Sequence, residues 1–321
     1  MSLPVEIYTG LTALKGNRPA SIALGFFDGV HIGHRDVIRA AVEYGEQNGL
    51  EPAVFTFQLP FQNTLKGGRI CTEERKHRLI CNLGVKHCLE PDFETFRELT
   101  PEDFVQKVLV DTCRAKAVFC GNNFTFGKKA AGNVTLLRQL CEPLGIRVFE
   151  VPMTIYEGEP VSSTRIRKAL EEGDMPTANA MLGRPYQVEF PVQHGKGLGR
   201  TLGFPTINQI IPEGYVSPKE GIYITLTQVQ EGLWLPSATG FGRRPTVDKS
   251  GAAPTCETFI AQYDGDLYNE CPAVRFYKYL APTRKFDSLE ELTACIQDAA
   301  AQSMKYHEEK AASVIPKQPS V

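Results

Sequence analysis

The sequence predicts two domains, an α/β domain with a parallel sheet followed by a β-rich domain that a helix closes. Three observations carry this prediction. Short apolar runs alternate with helical patterns from Ser21 to about Gly173, β-rich runs separated by turn signals follow from about Tyr186, and an amphipathic pattern begins near Ser288. The 321 residues, 42% of them hydrophobic, are enough for two cores of ordinary size.

Five apolar runs are the candidate strands of the α/β domain. They are SIALGFF from Ser21, PAVFTF from Pro52, VKHCLE from Val85, AKAVFCG from Ala115 and IRVFEV from Ile146. Between the first two runs the apolar residues recur at helical spacing, and the pattern ends near Gly45 and Gly49. The recurring residues are Val37, Ile38, Ala41 and Val42. Strands that alternate with helices form a parallel sheet, and ligands bind at the carboxyl ends of its strands.

The second part of the chain has the pattern of an antiparallel domain. Its candidate strands are YQVEF, GIYITLTQV, TCETFIAQY and AVRFYKYL, with Gly-Lys-Gly, Pro-Glu-Gly and Asp-Gly-Asp as turn signals. These runs predict a compact barrel or sandwich. Ser288 and Glu291 form a capping box for the closing helix. The residues that share its apolar face are Leu289, Leu292, Ile296 and Ala299.

The domain limits follow from these patterns. We expect one domain over residues 1–183, a second over residues 184–311 and a flexible tail over residues 312–321, with the boundary near Leu182 to Pro185. The chain has no internal repeat.

Composition and charge exclude several classes of protein. A formal net charge of −2 argues against a large attraction to nucleic acid or to anionic lipid. The chain starts without a basic segment and apolar core, and it lacks the roughly 18 consecutive apolar residues of a spanning helix. Nine cysteines without a CxxC pair predict reduced thiols rather than disulfides or a zinc site. We therefore expect a cytoplasmic protein that binds neither nucleic acid nor membranes. The sequence does not determine its oligomeric state.

The string GFFDGVHIGH follows the first candidate strand and places two histidines at the opening turn of the first helix. The i, i+3 spacing of His31 and His34 points both imidazoles the same way, beside backbone N–H groups and the positive end of the helix dipole. Gly25, Gly29 and Gly33 let the backbone approach a ligand closely. The string favours a polyphosphate site, although an isolated histidine pair of this kind is also found in surface, capping and metal-binding positions.

A second string, VSSTRIRKAL over residues 161–170, places hydroxyl groups at the predicted start of a later helix. The hydroxyl-bearing residues are Ser162, Ser163 and Thr164, which are common N-capping types. Arg165 and Arg167 in the first turn oppose the helix dipole unless an anion compensates. The string therefore indicates a second anion-binding element.

These strings resemble the nucleotidylyltransferase superfamily, which carries an HxGH box after the first strand and an SxTxxR box late in the domain. Here the boxes are His31 to His34 and Ser162 to Arg167. Together with GNNFTFG from Gly121 they look like the FMN adenylyltransferase module of bacterial bifunctional FAD synthetases. The resemblance implies a Rossmann-like parallel sheet in the first domain.

The resemblance also implies roles in the first site. Its ATP-binding residues would be Gly25, Phe26, His31, His34, Asn123, Ser162, Ser163, Thr164 and Arg167. The two histidines would be catalytic and would hold the triphosphate, the SxTxxR box would hold the β and γ phosphates, and Asn123 would help to fix the nucleotide. The FMN phosphate would attack the α-phosphorus in line and pyrophosphate would leave, with Mg²⁺ and without a covalent intermediate.

A glycine-rich string, HGKGLGRTLGFPTIN over residues 194–208, is the second candidate site. Its glycines surround Lys196 and Arg200, which suits either a phosphate-binding loop or a mobile surface loop. Pro205 then fixes the backbone ahead of Thr206 and Asn208, whose oxygens alternate onto one side of an extended segment and suit Mg²⁺.

This string, with LGRPY from Leu182, looks like the riboflavin kinase module, and the resemblance continues through GIYITL, GRRPTV, CETFI and KFDSLEEL. It implies an antiparallel β-barrel with a C-terminal helix. The phosphate-binding residues would be Gly195, Lys196, Gly197, Gly199, Arg200, Thr206 and Asn208, the last two with Mg²⁺. Glu257 matches the catalytic carboxylate, which takes the proton of the terminal ribityl hydroxyl as that hydroxyl attacks the γ-phosphorus of ATP.

The chain is thus predicted to convert riboflavin to FMN in its C-terminal module and FMN to FAD in its N-terminal module. Three segments depart from the pattern of the family. They are Phe57 to Phe61 in place of FDPHP, Gly240 to Gly242 in place of NIG, and Ala281 with Thr283 in place of an arginine and a glutamate. They leave two alternatives, a flavin-binding protein with only one of the activities and a nucleotidylyltransferase that acts on another phosphorylated acceptor.

Overall fold

The computed structural model describes residues 5–16, 18–59, 68–194, 205–243, 253–283 and 288–314. By the proximity of its Cα atoms the chain divides into two compact units, Met1–Ser163 and Thr164–Val321. No helix among these described ranges is long and apolar enough to cross a bilayer.

A six-stranded parallel sheet forms the centre of the first unit. The strands of this unit are β1 (Glu6–Tyr8), β2 (Ala20–Leu24), β3 (Glu51–Phe55), β4 (His87–Leu89), β5 (Ala115–Gly121), β6 (Thr125–Phe126), β7 (Gly132–Asn133), β8 (Arg147–Val151), β9 (Ile155–Tyr156) and β10 (Glu159–Pro160). The sheet order is β1-β4-β3-β2-β5-β8, with every pairing parallel. The pairs β6–β7 and β9–β10 are short antiparallel hairpins.

The helices of the first unit connect the strands as the alternating pattern predicts. They are α1 (Ile32–Asn48), α2 (Glu73–Cys81), α3 (Pro101–Phe104), which continues as a π-helix over Val105–Thr112, and α4 (Val134–Cys141). The predicted apolar face of α1 is buried, and α1 ends at the left-handed Gly49. Single 3-10 turns lie at Asp28–Val30, Phe93–Thr95, Lys128–Ala130 and Glu142–Leu144.

The four central strands of the sheet are largely buried on both faces, as expected for a parallel sheet. Ile22 and Leu24 belong to one apolar cluster, whereas Ala23 between them belongs to another that includes the apolar face of α1. All five predicted strands are confirmed. The strand β1 was not predicted, because three residues at the sheet edge are too few to show a periodic pattern.

The described residues of the second unit form an antiparallel sheet and three helices. Its elements are α5 (Ser163–Glu172), which begins at the last residue of the first unit, α6 (Met175–Leu182), β11 (Tyr186–Val188), β12 (Thr206–Ile210), β13 (Gly221–Gln230), β14 (Leu233–Arg243), β15 (Pro254–Ile260), β16 (Val274–Ala281) and α7 (Leu289–Val314). The sheet order is β11-β16-β13-β14-β15-β12.

The two edges of this sheet approach each other. After β11 the chain forms an antiparallel bridge from Val192 to Gln209 in β12, and the backbone N–H of Gln193 donates to the carbonyl of Asn208 at 2.8 Å. The sheet therefore curls into a barrel rather than a sandwich. One barrel face carries Tyr223, Phe241 and Phe276, all fully buried.

The closing helix α7 has the predicted cap. The hydroxyl of Ser288 accepts the backbone N–H of Glu291 at 3.2 Å. Ala299, on the predicted apolar face, is buried, and Ile296 is half-buried. The side chains of Leu289 and Leu292 lie outside the part of the chain that the structure describes.

Candidate active sites

The turn between β2 and α1 has a backbone that most residues rarely adopt. Phe27 has φ of 54° and the β-branched Val30 has φ of 40°, both in the left-handed region. The carboxylate of Asp28 accepts the N–H of Ile70 at 3.1 Å, and its carbonyl accepts the hydroxyl of Ser163 at 3.1 Å. Two later segments thus hold this turn, and such over-determined strain is typical of functional sites.

The two histidines of the HxGH box lie together at the start of α1. The Nδ1 atom of His31, the N-cap residue, accepts the N–H of His34 at 3.2 Å. The rings are stacked, with centroids 3.5 Å apart and an interplanar angle of 20°. Because Nδ1 of His31 accepts, a neutral ring carries its proton on Nε2, which can donate to an anion.

Close packing explains the glycines of this turn. A Cβ at Gly25 would lie 2.7 Å from the ring of Phe27, and a Cβ at Gly33 would lie 3.3 Å from the hydroxyl of Thr154 and 3.4 Å from the ring of His31. The Thr154 hydroxyl in turn donates to Asp36 on α1 at 2.5 Å. Neither Thr154 nor Asp36 was singled out from the sequence, because the contact joins residues far apart in the chain.

Asn123 lies at the same edge of the sheet as the histidines. It follows β5, which pairs with β2 in parallel, so the carboxyl ends of the two strands are neighbours. A Cβ atom at position 121 would lie 3.2 Å from the side-chain oxygen of Asn123. Because Gly121 has no Cβ atom, the amide of Asn123 can fold over the turn.

The SxTxxR box falls at the start of α5, as predicted. Ser162 immediately precedes the helix, and Ser163 reaches the strained turn through the carbonyl of Asp28. Thr164 is exposed and Arg167 is buried in the second unit. Within the first unit, Ser163 thus contacts the turn that precedes His31 and His34.

A shallow cavity beside Phe26 adds residues that the sequence did not indicate. The ring of Phe26 packs on Phe57, with centroids 4.8 Å apart. The lining residues are Phe26, Asp28, Phe57, Gln58, Leu59, Arg69, Cys71, Thr72, Glu73 and Lys76. Phe57 to Leu59 of the segment that departs from FDPHP therefore border this cavity, whereas Pro60 and Phe61 lie outside the described residues. Arg69 and Lys76 contribute cations to it, and only the tertiary fold brings them there.

Behind this cavity Lys76, His77 and Glu90 form what we term the charge cluster. Glu90 has no exposed surface; it contacts the ammonium group of Lys76, and its carboxylate lies 2.5 Å from Nε2 of His77. Burial raises the pKa of Glu90, but the hydrogen bond from His77 and the charge of Lys76 outweigh burial and lower it to about 2. The carboxylate is therefore ionised at neutral pH and fixes Lys76 at the edge of the cavity.

In the second unit, strand register places the candidate kinase residues on one face. Asn208 on β12 is opposite Glu257 on β15, and Glu257 is opposite Gly240 on β14. In the next row of this face, Thr206 is opposite Phe259. Residues directly opposite each other on antiparallel strands share a face, so the structure brings the two predicted metal ligands beside the predicted catalytic carboxylate.

A cavity of about 170 Å³ opens on this face, between the sheet and α7. Its lining residues are Thr206, Ile222, Ala238, Gly240, Glu257, Phe259, Thr283, Cys295, Ile296 and Ala299. Two positions that depart from the family pattern, Gly240 and Thr283, line it. The cavity is largely apolar, with Glu257 and two threonines as its polar groups, a composition typical of a site for a small organic ligand.

Most of the glycine-rich string falls outside the part of the chain that the structure describes. Gly195, Lys196, Gly197, Gly199 and Arg200 lie outside the described residues. His194, just before the loop, stacks on Tyr268 with ring centroids 3.9 Å apart. Among the residues that are described, no three His, Cys, Asp or Glu side chains converge as a metal site.

Each half of the chain matches a known protein family. Residues 14–165 match the FAD synthetase family, and residues 182–307 match the riboflavin kinase family. A solved structure from Streptococcus pneumoniae, described as a macrolide-efflux protein, superposes with a TM-score of 0.82 at 25% identity and covers 94% of this chain and 99% of its own.

Similarity to curated relatives extends over both domains of the chain. A protein of Listeria monocytogenes is 35% identical over 86% of this chain and 88% of its own length, and one of Bacillus subtilis is 31% identical over 89% and 92%. A protein of Escherichia coli K12 is 31% identical over 86% and 88%. All three are named bifunctional riboflavin kinase/FMN adenylyltransferase.

The predicted fold class, the order of the two modules and the predicted pair of enzymatic activities are therefore confirmed. The chain belongs to the family of bifunctional riboflavin kinase/FMN adenylyltransferases.

Proposed function

We propose that the two reactions take place in separate domains, with adenylyl transfer to FMN in residues 1–183 and riboflavin phosphorylation in residues 184–311. Helix α7 continues to Val314, into the segment predicted as a tail, and residues 315–321 of that segment lie outside the described residues. The matches over residues 14–165 and 182–307 support this division. The kinase would supply FMN, and the adenylyltransferase would consume it.

In the first domain, His31 and His34 bind the triphosphate of ATP at the N-terminus of α1. Their stacked rings and the positive end of the helix dipole support this role. An oxygen of the FMN phosphate attacks the α-phosphorus, the bond to the bridging oxygen breaks, and pyrophosphate leaves. Because no proton has to move in this step, positioning and charge neutralisation supply the catalysis.

The remaining residues of the first site orient the nucleotide. Ser162, Ser163, Thr164 and Arg167 bind the β and γ phosphates, and Asn123, Gly25 and Phe26 line the nucleotide site. The hydrogen bond from Ser163 to the strained turn supports this assignment, because it ties the start of α5 to the turn that precedes the histidines.

In the second domain, Glu257 accepts the proton of the terminal ribityl hydroxyl as that oxygen attacks the γ-phosphorus, and ADP leaves. The single observation that carries this proposal is the register of β12, β15 and β14, which sets Asn208 opposite Glu257, and Glu257 lines an apolar cavity. Residues 195–200 are proposed to bind the phosphates of ATP.

Thr206 and Asn208 would hold Mg²⁺. Their side chains supply neutral oxygens on one face of an extended strand, which is the kind of ligand that Mg²⁺ prefers when phosphates complete its coordination. Bound there, the cation would neutralise charge on the transferred phosphoryl group.

We place both reactions in the cytoplasm, because both consume ATP and the buried cysteines suit a reducing compartment. Burial raises the pKa of Cys88 to about 12, so this thiol stays protonated and unreactive.

The test is to incubate the purified protein with riboflavin, excess ATP and Mg²⁺, to separate riboflavin, FMN and FAD over time, and to repeat the assay from FMN. We expect FMN first and FAD second. Glu257→Gln should lower riboflavin phosphorylation about 100-fold or more and leave FMN adenylylation intact. The double variant His31→Ala, His34→Ala should lower adenylylation by a similar factor and leave phosphorylation intact.

Each variant changes one domain, and the activity of the other domain must persist. That persisting activity shows that the substitution has not inactivated the whole protein. FMN without FAD in the wild-type protein would contradict the adenylyltransferase assignment and favour a protein with one activity. Conversion of neither flavin would overturn both assignments.

A further inference from the structure

A hydrogen bond joins the helix that begins at the HxGH box to the segment that leads into the SxTxxR box. The hydroxyl of Thr154, just before β9, donates to the carboxylate of Asp36 on α1 at 2.5 Å, although the two residues lie 118 positions apart. Both side chains are half-buried. A hydrogen bond to an ionised carboxylate is shorter and stronger than one between neutral groups. The contact therefore ties the two segments together firmly.

The backbone of Thr154 continues this connection to the SxTxxR box. Its carbonyl accepts the N–H of Val161 at 2.9 Å. This bond extends the β9–β10 hairpin, in which Ile155 is opposite Pro160. Val161 is buried and directly precedes Ser162, the first residue of the box. Thr154 thus holds the chain at the point where the SxTxxR box begins.

The side chain of Thr154 also lies against the HxGH box itself. A Cβ at Gly33 would lie 3.3 Å from the Thr154 hydroxyl and 3.4 Å from the ring of His31. The hydroxyl and the ring therefore approach the same glycine, the one that separates the two histidines in the chain. A shift of the hairpin would move this hydroxyl relative to His31.

Apolar burial contributes little to the position of the hairpin. Pro152, Met153 and Ile155, which surround Thr154 in the chain, are exposed, and residues 157–160 are exposed as well. Tyr156 is half-buried. Because few apolar side chains of this segment are removed from water, polar contacts such as the one between Thr154 and Asp36 have a larger share in fixing it.

We propose that Thr154 and Asp36 are positioning residues for adenylyl transfer: their hydrogen bond holds the SxTxxR box at a fixed distance from His31 and His34, so that both boxes bind the phosphates of one ATP molecule. The inference rests on the proposed function of the first domain. The β and γ phosphates leave as pyrophosphate, so a displaced box weakens the binding of ATP and of pyrophosphate and leaves the binding of FMN unchanged.

Steady-state kinetics of Thr154→Val test the inference, because valine keeps the shape of threonine and lacks the hydroxyl. We expect the KM for ATP in FMN adenylylation to rise about tenfold, since a misplacement of about 1 Å in a site can cost as much as about 100-fold. The inhibition constant of pyrophosphate should rise by the same factor, and the KM for FMN should stay within about twofold of the wild type. Thr154→Ser keeps the hydroxyl and should restore a KM for ATP close to that of the wild type.

A double-mutant cycle tests whether Thr154 acts through Asp36. Asp36→Ala removes the acceptor, and the double variant Asp36→Ala, Thr154→Val should lose no more than the single variant with the larger loss. Tyr44→Phe is the matched control. It removes a hydrogen bond of 2.9 Å from Arg147 to a residue near the other end of α1 and should leave the KM for ATP within about twofold of the wild type.

Three results would overturn the inference: an unchanged KM for ATP in Thr154→Val, an equal rise in the KM for FMN, or additive losses in the double-mutant cycle. Circular dichroism shows whether each variant is folded, and Asp36→Ala tests the same contact from its other side if Thr154→Val does not fold. Full adenylylation activity in the variant His31→Ala, His34→Ala would instead overturn the proposed function of the first domain.

Discussion

Single residues determine the electrostatics beside the first site, where the charge cluster joins two elements. Glu90 follows β4, and Lys76 and His77 lie on α2. A carboxylate without exposed surface would be costly if it were alone, and its two partners offset that cost. Because Lys76 also lines the cavity beside Phe26, the buried carboxylate keeps a cation in place there.

Glu90→Gln should reduce the free energy of unfolding of the first unit by about 3–5 kcal/mol, because Lys76 would remain buried without its counter-charge. Chemical denaturation followed by circular dichroism measures this loss. Glu94→Gln is the control, since Glu94 pairs with Arg97 at the surface and such pairs contribute about 0–1 kcal/mol. Equal losses in the two variants would show that the charge cluster contributes no more than a surface ion pair.

At the scale of elements, a chain of buried hydroxyl groups links three strands of the second unit. The oxygens of Thr227, Ser237, Thr225, Thr239 and Thr258 follow one another at 2.8–2.9 Å, and none of these residues has exposed surface. Every hydroxyl has a partner, so the network satisfies its own polar groups within the barrel. A one-residue slip between β14 and β15 would break the contact between Thr239 and Thr258, so the network helps to specify the register that aligns Gly240 with Glu257.

Thr225→Val keeps the shape of a central member and removes its hydroxyl. We expect a loss of about 1–3 kcal/mol in the free energy of unfolding, because Ser237 and Thr239 lose a buried partner. Thr227 is the last member of the hydroxyl network and has one side-chain partner. Thr227→Val should therefore lower the free energy of unfolding by less than Thr225→Val does. Urea denaturation followed by the fluorescence of Trp234, the one tryptophan, reports on the second unit. A larger loss for Thr227→Val would contradict the role of Thr225 as the centre of the network.

At the scale of the whole molecule, each unit contains a histidine whose pKa is lowered; the first is buried and the second half-buried. Burial lowers the pKa of His87 in the first unit, although Glu51 and Glu6 oppose it. Burial also lowers the pKa of His307 in the second, against the opposing hydrogen bond with the carbonyl of Thr225. In both cases the unfolded chain takes up the proton first as the pH falls below about 6.5, so stability is complete above that value and declines on acidification.

His307→Gln should therefore flatten the pH dependence of the second unit. The amide can still donate to the carbonyl of Thr225 and does not titrate, so the urea midpoint of the Trp234 transition should fall less between about pH 7.5 and about pH 5.5 than in the wild type. The first unit, followed by circular dichroism, should keep its wild-type pH dependence. An undiminished fall of the Trp234 midpoint in the variant would show that other groups govern the acid sensitivity.

The elements and the position of the histidine pair at the start of α1 were predictable because their signals are local. The helical face of α1, the buried strand runs and the change to β-rich texture all depend on residues within a few positions of one another. The histidine pair and the serine cap are local for the same reason, since i, i+3 neighbours share a helix turn. Short β1 and the left-handed Phe27 and Val30 were not predictable, because nothing in their immediate sequence requires these conformations.

By itself the sequence determined the class of each domain, the order of the two domains and the residue types that can bind phosphate and take a proton. Tertiary structure decided which of these residues meet. Glu257 is exposed, as glutamates in strands often are, and only its pairing with Asn208 and Gly240 across two strands places it in the wall of a cavity. Lys76 likewise reaches its site only because α2 packs beside the turn after β2. Strand register and helix packing join residues that are distant in the chain, and local periodicity carries no information about such contacts.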